Sequence, residues 1–216
     1  MPRQALRITE IFHSLQGESR SAGFPTVFVR LTGCPLRCGY CDTTYAFSGG
    51  KLMSQQQVLA QVGEFQARYV CVTGGEPLAQ RACPDLLRAL CDAGYRVSLE
   101  TSGAMDISDV DARVSRVVDI KTPGSGEMHR NRYQDLAGLT PRDQIKFVIC
   151  DRTDYQWARM KCNELNLLAL TPDVLFSPSY TELSGNQLAD WILEDRLEVR
   201  LQLQLHKTLW GEASGR

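Results

Sequence analysis

Three of the chain's eight cysteines fall within one eight-residue stretch, Cys34-Pro-Leu-Arg-Cys38-Gly-Tyr-Cys41. That spacing lets a single loop direct three thiolates at one metal centre. Structural zinc normally takes four protein ligands, and catalytic zinc favours histidine or carboxylate partners. Here the nearest histidine in sequence is His13, and no fourth cysteine stands at second-pair spacing. Iron–sulfur clusters accept thiolates, and three thiolates on a four-iron cluster leave one iron open, which means chemistry rather than plain electron transfer. Zinc, and a redox pair with a spare thiol, are the competing readings. A second motif, Thr73-Gly74-Gly75-Glu76-Pro77, follows the apolar run YVCVT. Its two glycines permit close backbone approach, and its carboxylate offers acceptors to an ammonium group.

Such motifs need a scaffold that brings distant loops together. Apolar and β-branched runs predict strands at 7–12, 26–31, 69–73, 96–100, 116–120, 144–149, 173–176 and 197–204. Helical patterns begin at Ser54 (with Gln57 three residues on) and near Pro84, where Leu86, Leu87 and Leu90 share a face up to Gly94. Two more cover about 154–166 and Ser184 to about Glu194. Strand and helix alternate, which implies βαβ units and a mostly parallel α/β sheet whose ligands collect at the carboxyl ends of the strands. The loops TGC at 32–34, TGGEP at 73–77, ETSG at 100–103, IKTPG at 120–124 and SPSY at 177–180 are therefore expected on one rim.

Composition narrows the class further. At 216 residues and 43% hydrophobic the chain can bury a core, and with no repeat or linker it is read as one domain over 1–216. A net charge of −1 argues against a nucleic-acid or membrane-surface protein. No apolar run is long enough to span a bilayer. The opening MPRQALRITEIF lacks the pattern of a signal peptide, so a cytoplasmic, reducing setting with free thiols is expected. Cys71, Cys83, Cys91, Cys150 and Cys162 read as small hydrophobes rather than ligands, and His13 as a packing or surface residue.

The cysteine spacing, with Tyr40 just before the last thiol, resembles the cluster motif of the radical S-adenosylmethionine superfamily, and Gly74-Gly75-Glu76 resembles its GGE motif. The resemblance implies a [4Fe-4S] cluster on Cys34, Cys38 and Cys41 whose open iron is chelated by S-adenosylmethionine, the source of a 5′-deoxyadenosyl radical. Three further stretches are informative: Ile11-Phe12-His13-Ser14-Leu15-Gln16-Gly17-Glu18 with Phe28-Val29-Arg30, the pair Asp42-Thr43, and Gln202 to Lys207. Together, over nearly the whole chain, they resemble the 7-carboxy-7-deazaguanine synthase family of queuosine biosynthesis. That family's reaction is conversion of 6-carboxy-tetrahydropterin to 7-carboxy-7-deazaguanine, a lyase step that expels ammonia, regenerates S-adenosylmethionine and requires Mg²⁺.

Carried over residue by residue, the resemblance implies a cluster-binding loop at 32–45 and Thr43 as the Mg²⁺ ligand. Tyr40, Cys41, Asp42, Gly75, Glu76, Ser102, Lys121, Ser177, Pro178, Ser179 and Tyr180 fall on the S-adenosylmethionine side. Leu15, Gln16, Gly17, Arg30, Thr73, His206 and Lys207 fall on the pterin side. The implied fold is a partial (β/α) barrel with fewer helices than strands. The implied partners are a flavodoxin-like or ferredoxin-like electron donor and a second copy in a homodimer, with no nucleic acid and no membrane. The chain departs from the family pattern at Ser19, often glycine there, across 122–143, and in a tail continuing through Trp210 to Arg216. A glycyl-radical activase shares the cysteine spacing and GGE but lacks the LQGE opening and QLHK close.

Overall fold

The computed structural model describes residues 5–211, 213 and 215; residues 1–4 of the opening stretch and 212, 214 and 216 of the tail lie outside the described residues. The chain begins with an antiparallel pair, β1 (Ala5–Leu15) and β2 (Pro25–Leu31), in which Phe12 faces Phe28. After the cysteine loop, β3 (Lys51–Ser54) joins the outer edge of β1. Ser54 then starts α1 (Gln55–Glu64) with a reciprocal capping box: its hydroxyl accepts from the Gln57 backbone, and the Gln57 side chain accepts from Ser54 N at 2.8 Å.

Alternation follows, through β4 (Tyr69–Gly74), α2 (Cys83–Asp92), β5 (Arg96–Thr101), β6 (Ser115–Asp119), β7 (Gln144–Ile149), α3 (Arg152–Glu164), α4 (Leu167–Leu170), β8 (Val174–Pro178), α5 (Gly185–Glu194), β9 (Arg200–Leu201) and α6 (Leu205–Trp210). The sheet runs β3-β1-β2-β4-β5-β6-β7-β8-β9 and is parallel from β2 onward. It is the open, partial barrel expected, with nine strands and six α-helices among the described residues. Strands covered on both faces read as continuous apolar runs, as β4 does with Val70, Cys71 and Val72 all buried. Leu86, Leu87 and Leu90 of α2 are fully buried, each stabilising by about 1.5–3 kcal/mol relative to exposure.

Two expectations need correction. The predicted strand 197–204 pairs only at Arg200–Leu201. Its Leu/Gln alternation looks extended, but beyond Gln202 the chain turns into α6, where Leu205 N bonds Gly17 O at 2.9 Å. The helix predicted over 154–166 begins at Arg152, because the Asp151 side chain accepts Asp154 N at 2.8 Å, and ends at Glu164. Of the five thiols read as packing, Cys71, Cys83 and Cys162 are buried, whereas Cys91 and Cys150 are partly exposed. His13 is exposed and stacks on Phe65. No helix of the described residues is long and apolar enough to cross a membrane.

Candidate active site

Parallel register aligns the strand ends. Leu31 faces Gly74, Thr101 faces Val118, and Val148 faces Ser177. The loops leaving these ends, together with α6, surround a cavity of about 300 Å³. All five predicted rim loops contribute to its wall, through Cys34, Thr73 to Gly75, Glu100 to Ser102, Lys121, and Ser177 to Tyr180.

At one end lie Cys34, Cys38 and Cys41, all free and partly exposed. Cys41 N donates to Cys38 O, and the Arg37 guanidinium donates to Cys34 O at 2.9 Å. Burial pushes the Cys34 thiol up and the Cys38 thiol to about 11; Lys121 opposes the rise at Cys38, while Asp119 and the other two thiols add to it. A cationic centre bound here would favour the thiolates of Cys34 and Cys38 against that rise. Among the described residues no three His, Cys, Asp or Glu side chains are gathered closely enough to hold one metal ion. Three free, partly exposed thiols on one cavity wall are the donor set that a four-iron cluster takes, each thiolate on a different iron.

The GGE loop is locked to the cysteine loop. Gly75 N donates to Leu31 O and Glu76 N to Gly33 O, at 3.2 and 2.8 Å. A Cβ on Gly75 would lie 2.8 Å from Cys34 Cβ and closer still to Gly33 O, so only glycine fits. Glu76 is fully buried, and its carboxylate takes donors from Leu78 N, the Thr101 hydroxyl and both N and Oγ of Ser102. In this structure Glu76 is therefore not on the cavity wall; it ties the loop after β4 to the loop after β5. Lys121 pairs with Asp119 at 3.1 Å and lies over the Tyr40 ring, whose buried hydroxyl has no partner among the described residues.

The other end gathers residues from both termini of the chain. Gly17 meets the ring of His206, which a Cβ there would strike, and Lys207 approaches Asp42 at 3.5 Å and the Tyr180 ring at 5.2 Å. Gln16 is 2% exposed; its Nε2 has no oxygen acceptor and sits beside the Cys71 thiol. Arg30 donates through Nε to Glu10, which also accepts from Tyr45, leaving the two terminal nitrogens without a protein acceptor among the described residues. The Thr43 hydroxyl donates to Asp42 at 2.8 Å. Burial pushes the Asp42 carboxyl up, but Thr43, Lys207 and Lys146 outweigh it and hold it below its ordinary value. Ser19, where the resemblance expected glycine, takes a left-handed φ of 66°, so the turn keeps the glycine-like backbone with a serine in it.

The structure also brings in groups to which the sequence assigned no role. Lys146 on β7 pairs with Glu18 at 2.5 Å, Gln204 donates to the other Glu18 oxygen at 2.8 Å, and Asp119 stands 4.0 Å from Lys146. Burial works against the charge on Lys146, yet Glu18, Asp119 and Glu100 raise it well above the ordinary lysine value. Glu100 is held above the carboxylate range, first by burial and then by the Glu18 charge. A charged residue inside an otherwise apolar strand, as Lys146 is in QIKFVI, is the signal that would have found it.

A family model, described as the Radical SAM superfamily, matches residues 28–119. A 7-carboxy-7-deazaguanine synthase of Koribacter versatilis is 43% identical over 95% of this chain and 97% of its own length. One from Chlorobaculum tepidum is 45% identical, covering 95% and 94%. Among solved structures, that of QueE from Escherichia coli superposes with a TM-score of 0.72 at 24% identity, over 94% of this chain and 95% of that one, a likeness of fold. By its near full-length identity to these synthases, the chain belongs to the 7-carboxy-7-deazaguanine synthase family of the radical S-adenosylmethionine superfamily.

Proposed function

We propose that this chain, as one domain over 1–216, is a lyase that converts 6-carboxy-tetrahydropterin to 7-carboxy-7-deazaguanine with loss of ammonia. The observation that carries the reading is the single cavity whose wall holds three free thiols and also a buried Gln16 amide without an oxygen acceptor. Buried polar groups left unpaired in a cavity are groups waiting for a ligand.

In this reading Cys34, Cys38 and Cys41 hold a four-iron cluster, which with S-adenosylmethionine supplies a carbon radical able to abstract hydrogen. Gly75, Ser102, Lys121 and Ser177 to Tyr180 line the side of the cavity assigned to that cofactor. Glu76 acts on it through Thr101 and Ser102. The pterin lies against Leu15 to Gly17, with Gln16 Nε2 as a donor to its ring edge and the outer Arg30 nitrogens on its carboxylate. Thr43 and Asp42 offer hard oxygens to a Mg²⁺ that keeps most of its waters. His206, which burial holds below its ordinary pKa, is a neutral donor or acceptor at pH 7. Glu100, held above the carboxylate range beside Thr73, is placed to carry a proton toward the departing nitrogen.

A flavodoxin-like or ferredoxin-like donor, a homodimer and a cytoplasmic setting complete the proposal, since the three cysteines must stay reduced to serve as ligands. The test is anaerobic: reconstituted protein, reductant, S-adenosylmethionine, Mg²⁺ and carboxy-tetrahydropterin should yield ammonia and the deazaguanine acid in equal amounts. Formation of neither product removes the assignment.

A further inference from the structure

The stretch 122–143 departs from the family's spacing, and in this structure its first part, from Lys121 to Asn131, forms a closed loop with its own anchors. Asn131 seals it: Lys121 N donates to Asn131 Oδ1 at 2.9 Å, and Asn131 Nδ2 donates back to Lys121 O at 2.8 Å. Asp154 of α3, itself 1% exposed, holds the interior by accepting from the Thr122 hydroxyl at 3.0 Å and from Gly124 N at 2.8 Å. No side chain fits at Gly124, where a Cβ would meet Asp154 Oδ2 at 2.5 Å. The Ser125 hydroxyl donates to Thr122 O at 2.6 Å and accepts Glu127 N at 3.0 Å, which fixes the tip.

Two bonds leave this loop toward the cysteine loop, and they fall on either side of one residue. Ser125 O accepts Gly39 N at 3.1 Å, and Glu127 Oε1 accepts Arg37 N at 2.6 Å. Arg37 and Gly39 are the neighbours of Cys38. Cys34 and Cys41 are held by other means, Cys34 through Arg37 on its carbonyl and Cys41 through its own N on Cys38 O. A backbone gripped at both flanking amides loses little entropy when its side chain takes a ligand.

We infer that the loop 121–131 is a clamp that presets the middle thiol, and that Glu127 is its positioning residue. The inference rests on the reading that Cys38 holds a cluster iron. Glu127 touches neither metal nor cofactor; its carboxylate acts through the Arg37 amide. Glu127→Ala removes the acceptor, whereas Glu127→Gln keeps an oxygen that can accept the same N–H.

Two measurements separate this inference from the assignment it rests on. In the metal-free chain, amide exchange at Arg37 should quicken in Glu127→Ala by about threefold to tenfold, the range carried by one hydrogen bond within reach of water. In the reconstituted protein, iron loss to a chelator should accelerate by a similar factor. Glu127→Gln should restore both rates to near the wild type, with the thermal midpoint lowered by only a few degrees in Glu127→Ala and recovered in Glu127→Gln. Wild-type rates in Glu127→Ala overturn the clamp. Iron content unchanged in Cys38→Ala overturns the ligand assignment, and the clamp's purpose with it, whatever the amide exchange shows.

Discussion

Gly75→Ala tests whether the two motif loops depend on backbone contact. The new methyl would sit 2.8 Å from both Gly33 C and Cys34 Cβ, whereas ordinary contact begins near 3.4 Å. The obstructing atoms are backbone and Cβ, so no flexible side chain can move aside. The loops must part, and parting stretches Gly75 N to Leu31 O and Glu76 N to Gly33 O, now 3.2 and 2.8 Å. Overpacking costs about 1–3 kcal/mol, and each weakened backbone bond about 1 kcal/mol. A loss of about 3–5 kcal/mol is expected, a large share of the stability of an ordinary domain. Urea unfolding reads it as a lower midpoint with unchanged slope. Cys34 should also move, so its alkylation rate in the metal-free chain should change. Gly138→Ala is the control: its φ is not left-handed and nothing lies within 4 Å of a new Cβ, so it should be neutral or stabilise by up to about 1 kcal/mol. Equal midpoints for Gly75→Ala and Gly138→Ala, with an unchanged alkylation rate, would refute the reasoning.

Arg116→Ala strips the buried Asp143 carboxylate of its bidentate guanidinium partner and leaves it only neutral donors, the Thr140 N–H and hydroxyl and the backbone N–H of residue 116; equilibrium unfolding should show a loss of about 3–5 kcal/mol. The His206 value lies below 6.5, chiefly from burial, with Lys207 and Lys146 adding to it and Glu18 and Asp42 opposing. The unfolded chain therefore binds the extra proton between the folded value and 6.5, and this residue's contribution to stability rises with pH across that window. His206→Gln should flatten that slope in unfolding midpoints measured from pH 5 to 7.5, and superimposable profiles would exclude it. Thr43→Ala should weaken activation by Mg²⁺; an unchanged Mg²⁺ titration would take that role from Thr43.

The parts of the molecule that were legible in the sequence are those in which one local segment carries its own signal. The capping box at Ser54, the leucine face of α2 and the apolar run of β4 each lie within one turn or strand and need no distant partner to be recognised. The cysteine loop and the GGE loop are legible for the same reason, and the parallel alternation between them puts both on one rim before any coordinate is known. The strand 197–204 failed on an equally local rule. Period-two alternation marks a segment able to extend, but whether it pairs depends on what lies beside it. Here β8 pairs in register only with Arg200 and Leu201, its last bond running from Gln202 N to Phe176 O, and the Gly17 carbonyl captures the chain at Leu205.

Charge networks obey a different logic, which explains why the buried ion pairs of the cavity wall were missed. Lys146, Glu18, Gln204 and Asp119 come from four separate segments, and although Glu18 and Gln204 fall within stretches that carry the family resemblance, no spacing rule ties the four together. What makes each conspicuous is burial, a property of the finished sheet. A lysine in the middle of an apolar strand is still a readable anomaly, because leaving such a charge unpaired inside a fold costs several kcal/mol. Lys146 thus announces a buried carboxylate somewhere in the chain, although not which one. Glu18 could be identified as that carboxylate only once the end of β1 and the start of α6 were known to meet over β7. The pairing constrains function as well as stability. With Glu18 committed to Lys146 and Gln204, burial first and the Glu18 charge second raise the Glu100 carboxyl above its ordinary value, against Lys146 and Arg30. Burial and one like-charged neighbour thus set the two acids apart, Glu18 as the paired anion and Glu100 as the acid of raised pKa on which the proposed proton transfer rests.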